Sequence, residues 1–191
     1  MNTSNIKKYA PQARNDFIAA MRKQAAKYGI TADSILPAEQ KGDLLLIGDQ
    51  VFSLSVMKSR EKLIKRIQTS SFEQTIDYIA YSWFNRLCAI RYMECKGLLD
   101  HGRRVLSSAD GSAGLPQILE ECLDIDLPGL DASRVAELKL DGNKDEELYR
   151  ELLLAQCHAL NQVMPLLFEQ VSDESELLLP DNLTKTDSLI R

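Results

Sequence analysis

The sequence lacks most of the patterns by which enzymes announce themselves. Only two of its 191 residues are histidines, His101 and His158, and no serine or cysteine stands near either in a triad-like pattern. G-x-G-x-x-G, the P-loop and H-E-x-x-H are all missing, so the dinucleotide, nucleotide-phosphate and zinc-protease readings have nothing to rest on. Four cysteines, Cys88, Cys95, Cys122 and Cys157, show no C-x-x-C spacing. That disfavours zinc and disulfides and predicts buried free thiols. There is no cationic leader with an apolar core and no apolar run long enough to span a bilayer, so the expected setting is cytoplasmic, with no membrane partner. On these grounds no catalytic, cofactor-binding or metal-binding residue is expected, and the chain reads as a binding or interaction domain.

What is present is an uneven distribution of charge. Residues 1–70 carry twelve Lys/Arg against six Asp/Glu, and residues 71–191 carry eleven against twenty-two, which makes +6 and −11 within a net −5. An acidic whole argues against a freestanding nucleic-acid binder, while a basic first third leaves room for a local phosphate contact.

The organising stretch is Ser71 to Gly97. Ser71 with Gln74 forms a capping box, the apolar residues Phe72, Ile76, Ile79, Ala80, Trp83, Phe84, Leu87, Ile90 and Met93 recur at helical spacing, and Gly97 supplies the stop. Five aromatics between Phe72 and Phe84 make it the central helix of a mainly α fold, seven residues separating Cys88 from Cys95 on one of its faces. Before it, residues 1–10 read as frayed or docked on a neighbour. Pro11 opens a helix with Phe17, Ile18, Met21, Ala25 and Tyr28 inward, and Gly29 ends it. A connector with Pro37 leads to a small hairpin near 43–52 around Gly48-Asp49.

Ser53 to Thr69 returns to helical spacing, with Val56, Leu63, Ile64 and Ile67 inward and Lys58, Arg60, Lys62, Lys65 and Arg66 outward. Two readings apply to this densest positive patch. It is a solvated face whose long stems cover apolar surface, or a sequence-independent contact to DNA phosphates, since no aromatic is interleaved for base stacking.

Beyond Gly97, Leu99 to Gly114 is a polar loop, where His101 with Arg103 and Arg104 makes either an anion site or an exposed turn. Short helical pieces are expected at Ile118 to Leu123 and, helical or extended, at Ser133 to Leu140. Asp141 to Asp145 turns into a second long helix, about 145–161, with Glu146, Glu147 and Glu151 near its positive end. Pro165 kinks or splits that helix, leaving Met164 to Val171 as a separate turn. The acidic and leucine-rich residues 172–191 read as a linker or junction after a helical domain at 1–171.

Three constellations carry chemistry on paper. Glu137-x-Lys139, with Asp124, Asp126 or Asp131 upstream, has the outline of a D…E-x-K nuclease site (Asp131, Glu137, Lys139), in which carboxylates hold a divalent metal; that chemistry needs the pair on a strand. Asp141, Asn143 and Asp145 begin like a calcium loop, but Glu146 stands where glycine is required and Leu152 where the bidentate glutamate belongs. His158, beside Cys157, reads as a satisfied core or boundary imidazole.

Several longer runs go beyond composition. Y-A-P-Q-A-R-N-D-F-I (Tyr9 to Ile18), Y-S-W-F-N-R-L-C-A-I-R-Y-M-E (Tyr81 to Glu94), L-D-H-G-R-R-V-L-S (Leu99 to Ser107), E-L-K-L-D-G-N-K-D-E-E-L-Y-R (Glu137 to Arg150) and E-L-L-L-P-D-N-L (Glu176 to Leu183) resemble, in order, the start of the PglX family. These are the adenine-specific DNA methyltransferases of BREX phage-defence systems. The resemblance implies a parent enzyme that moves a methyl group from S-adenosylmethionine to adenine N6 in DNA. It also implies partners in the methyltransferase domain of the same polypeptide, in DNA and in other BREX proteins. Family chemistry resides in a D-P-A-C-G-S-G-like cofactor loop and an N-P-P-Y-type tetrapeptide that grips a flipped adenine. Neither occurs here, so the resemblance implies an inactive N-terminal helical domain ahead of the methyltransferase domain, with no cofactor of its own.

Overall fold

The computed structural model describes residues 4–112, 114–166, 168, 173–185 and 188–190. In chain order its elements are α1 (Ser4–Lys27), β1 (Ala38–Lys41), β2 (Leu44–Ile47), β3 (Gln50–Ser53), α2 (Val56–Thr69), α3 (Phe72–Lys96), α4 (Gln117–Glu120), a 3-10 turn (Cys122–Asp124), α5 (Ala132–Asp141), α6 (Asp145–Val163) and α7 (Asp173–Leu177). The fold is mainly α with one small antiparallel sheet of order β1-β2-β3.

Helix α3 follows its sequence signals. The Gln74 backbone N–H donates to Ser71 Oγ at 3.2 Å, and Gly97 takes φ +64° while Leu98 N closes back on Met93 O at 2.9 Å. The two bonds satisfy orphan groups at both ends, which is why the helix starts and stops where it does.

The chain forms two compact units, Met1–Phe84 with Ser172–Pro180, and Asn85–Val171 with Asp181–Arg191. In the first, Phe17, Met21, Ala25, Ile30, Leu45, Ile47, Leu63, Ile76, Ile79 and Trp83 are buried together with Leu177, Leu178 and Leu179. Trp83 Nε1 donates to Ser175 O at 2.9 Å and Gln24 Nε2 to Leu179 O at 3.3 Å, so the leucine run after α7 is seated inside the chain's own fold. Gly29, at φ +69°, turns the chain out of α1 so close to the sheet that a Cβ there would lie 2.6 Å from Ile47 Cγ2. Only glycine combines that φ with that approach.

In the second unit Leu87, Ile90, Val105, Ile118, Val135, Leu138, Leu148, Tyr149, Leu152 and Leu153 are buried. The polar loop after α3 is tied to this core from beneath. Glu94, with no exposed side-chain surface, accepts from Val105 N and Leu106 N at 2.8 Å each and from Ser107 Oγ at 2.9 Å, and Arg91 pairs with it. Tyr149 Oη donates to Val105 O at 2.9 Å.

The structure departs from the sequence reading in several places. Helix α1 begins at Ser4, seven residues ahead of Pro11, which sits inside it. Pro11 withholds one N–H without ending the helix, and Ser4 to Ala10 contains no glycine or second proline to prevent the upstream turns. The hairpin has a third strand, β1, unsigned in sequence because all four of its residues are exposed and none alternates. Cys122 and Cys157 are buried free thiols, but Cys88 and Cys95 are exposed, because the face they share is the solvent face. His158 is exposed as well. Helix α6 ends at Val163, ahead of Pro165, and the separate turn expected over 164–171 lies partly outside the described residues.

Candidate nucleic-acid interface

Helix α2 carries the basic patch, and its geometry separates the five cations. Lys58, Lys62 and Lys65 are exposed at spacings of four and three, so they share one helical face. Glu61, also exposed, is the acid within reach of that row by spacing.

Arg60 does not face out. It is 5% exposed and donates from Nε to Tyr28 O at 2.9 Å and from Nη2 to Leu36 O. Burial pulls its guanidinium below the ordinary arginine value, partly offset by the charge of Glu61. The outward assignment fails because the two acceptor carbonyls come from the end of α1 and the connector, which no helical spacing within α2 reveals. Arg66 is half withdrawn: it pairs with Glu174 at 3.1 Å and lies over the Tyr78 ring at 4.2 Å. What the helix presents at the surface is a row of three lysines.

The nuclease constellation is dispersed. Glu137 and Lys139 lie on α5, a helix rather than a strand, and two residues apart on a helix point to opposed faces. Glu137 pairs with Arg134 at 2.9 Å, and Lys139 Nζ donates to Leu119 O at 3.0 Å. Asp131 is the N-cap, accepting from Ser133 N at 2.9 Å and Arg134 N at 3.2 Å. Among the described residues no three His, Cys, Asp or Glu gather to hold a metal. The calcium-like Asp141 to Asp145 stretch is a helix-exit turn, with Gly142 at φ +67°.

The anion reading of the polar loop loses two of its three members. Arg103 N donates to His101 Nδ1 at 3.1 Å, which leaves Nε2 to carry the proton toward Gln156 Oε1 at 2.6 Å. Arg103 is held by Glu121 at 3.0 Å and by His101 O at 2.9 Å. Those side chains order the loop; of the two arginines, Arg104 is the one with no carboxylate partner among the described residues. Helices α5 and α6 are joined by Arg134, which reaches Glu137, Glu147 and Glu151, so much of the acidic half answers its own cations.

Over all of its length the chain is 52% identical to the adenine-specific methyltransferase BrxX of Escherichia coli O9:H4 (strain HS), across 198 aligned residues. Over 93% of its length it is 31% identical to the adenine-specific methyltransferase PglX of Lacticaseibacillus casei (strain Zhang). The chain matches the BrxX and PglX methyltransferases. It spans 16% of the length of each, and no protein-family model matches it. Neither a D-P-A-C-G-S-G-like loop nor an N-P-P-Y-type tetrapeptide stands in these residues. The exposed lysines of α2 in this BrxX-like segment are Lys58, Lys62 and Lys65. Among the described residues no helix is long and apolar enough to cross a membrane.

The buried Glu94 clasp went unread in the sequence. Its one signal was a glutamate on the apolar side of an otherwise aromatic helix.

Proposed function

We propose that this chain is the N-terminal, non-catalytic domain of a BREX adenine-specific DNA methyltransferase and that it acts in the cytoplasm as a DNA-backbone and docking element. The observation that carries the reading is similarity to BrxX over the whole chain at 52% identity, while the chain spans 16% of that enzyme. Transfer of the methyl group from S-adenosylmethionine belongs, on this reading, to the larger remainder of the polypeptide. On this reading the helical domain takes in the buried Leu177, Leu178 and Leu179, which belong to its first compact unit.

In this role Lys58, Lys62 and Lys65 meet successive phosphates of DNA that the methyltransferase domain reads. Point charges on flexible stems suit a contact that positions without specifying sequence. The test is a salt series on the full-length enzyme. Reversal of all three lysines to glutamate lowers the slope of log K against log salt by about 3, at roughly 0.9 for each phosphate no longer neutralised. An unchanged slope makes the row a solvated face. Parallel pull-downs with the other BREX proteins ask whether the same domain docks them.

A further inference from the structure

Helices α1 and α3 meet through Phe17 and Phe84, whose rings stand edge-on with centroids 5.7 Å apart. Beside that contact the helices present Ala10, Pro11 and Ala80. Side chains this small leave a gap, and a cavity of about 440 Å³ opens there, lined also by Arg14, Tyr81 and Phe84. Its one charged member, Arg14, already pairs with Asp77 at 3.3 Å. Tyr81 is 64% exposed and Tyr9, next to Ala10, 60%.

A small polar ligand needs several converging polar groups to fix its orientation, and this lining holds a guanidinium already paired and one phenol. A groove floored by small residues and edged by aromatics suits instead the apolar ridge of another helix. We propose that the groove seats an apolar helical ridge from the remainder of the methyltransferase polypeptide. The inference rests on the reading given under Proposed function. The occupant follows from chain length: these residues span 16% of each relative, and a segment tethered in the same polypeptide acts at an effective concentration that a separate partner or second copy must match from solution.

Photo-crosslinking in the full-length polypeptide tests this, with p-benzoylphenylalanine replacing Tyr81 in one variant and Tyr9 in another. The expected product is an adduct at monomer mass whose peptide map joins position 81 or 9 to an apolar segment outside residues 1–191. An adduct at dimer mass, an adduct to another protein, or no adduct from either position overturns the proposal. Adenine methylation by the unsubstituted enzyme is measured alongside. Its absence refutes the parent assignment, whereas an active enzyme that gives no such adduct refutes the groove alone.

Discussion

Removing the Glu94 carboxylate should loosen the loop after α3 more than any other single polar change in the second unit. The side chain has no exposed surface and accepts two backbone N–H groups, from Val105 and Leu106, and the Ser107 hydroxyl. Glu94→Ala strands all three donors beneath the loop. At about 1–3 kcal/mol per stranded buried group, and with one recovering water as the loop relaxes, the cost is about 3 kcal/mol. Glu94→Gln keeps the shape but turns an NH2 toward donors, at about 2 kcal/mol. Arg91→Ala removes the charged partner and its hydrogen bond to Ser107 Oγ at 2.7 Å, but its side chain is 45% exposed, and solvent screening limits the effect to about 1 kcal/mol. The predicted order is therefore Glu94→Ala, Glu94→Gln, Arg91→Ala. Urea denaturation gives the stabilities, and amide exchange at Val105 and Leu106 localises them. The alanine variant should also melt about 6–12 °C lower. If both Glu94 variants stay within about 0.5 kcal/mol of the parent sequence, the span of an ordinary surface change, and the two amides keep their protection, the clasp does not hold the loop.

Three further outcomes follow from local geometry. Gly29→Ala forces a Cβ into φ +69° and to 2.6 Å from Ile47 Cγ2, which costs about 2–4 kcal/mol in denaturant titration; a cost below about 0.5 kcal/mol would mean that α1 and the sheet separate freely. Asp131→Ala removes the cap that accepts from Ser133 N and Arg134 N and should cost about 1 kcal/mol, with helix content reduced around α5. Asp110 is held down to about 2 by the Ser108 hydroxyl and by hydrogen bonds from Ser112. A depressed carboxyl stabilises the fold above the ordinary carboxylate range, and the effect fades only as pH falls toward 2. Carbon-detected titration should show Asp110 still ionised at about pH 3, and Ser108→Ala should raise its midpoint toward the ordinary aspartate value of about 4; an ordinary midpoint in the parent sequence would refute the turn geometry.

How much of this was legible depended on whether the physics was local. Ser71, Gln74 and Gly97 mark the ends of α3 to within a residue, because caps are satisfied by neighbours in sequence. The β2-β3 turn at Gly48-Asp49 was visible for the same reason. Strand β1 was not: A-E-Q-K is exposed throughout, and its pairing is supplied by β2. Pro11 misled because a proline that starts a helix and one that a helix runs through look alike in isolation. Arg60 misled because its acceptors, Tyr28 O and Leu36 O, lie 32 and 24 residues away. On α2, spacing turns Lys58, Lys62 and Lys65 outward, where they are exposed, but it does not reveal that Arg60 and Arg66 are drawn to partners distant in sequence.

That consumption follows the chemistry of the two side chains. Arg60 and Arg66 present planar forks that engage a pair of carbonyls and a carboxylate with a ring, so a helix packing its basic side against its own fold withdraws arginines first. Lys58, Lys62 and Lys65 are compact, strongly hydrated charges and stay at the surface. Exchanging the types at one position tests the division. Arg60→Lys keeps the charge but reaches one carbonyl instead of two, so it should destabilise by about 1–2 kcal/mol and leave the salt dependence of DNA binding untouched. Lys62→Arg should leave both stability and salt slope unchanged, since a phosphate accepts either cation. A reversed result, with Arg60→Lys lowering the salt slope at constant stability, would mean that Arg60 faces the nucleic acid and that α2 is rotated from the packing described.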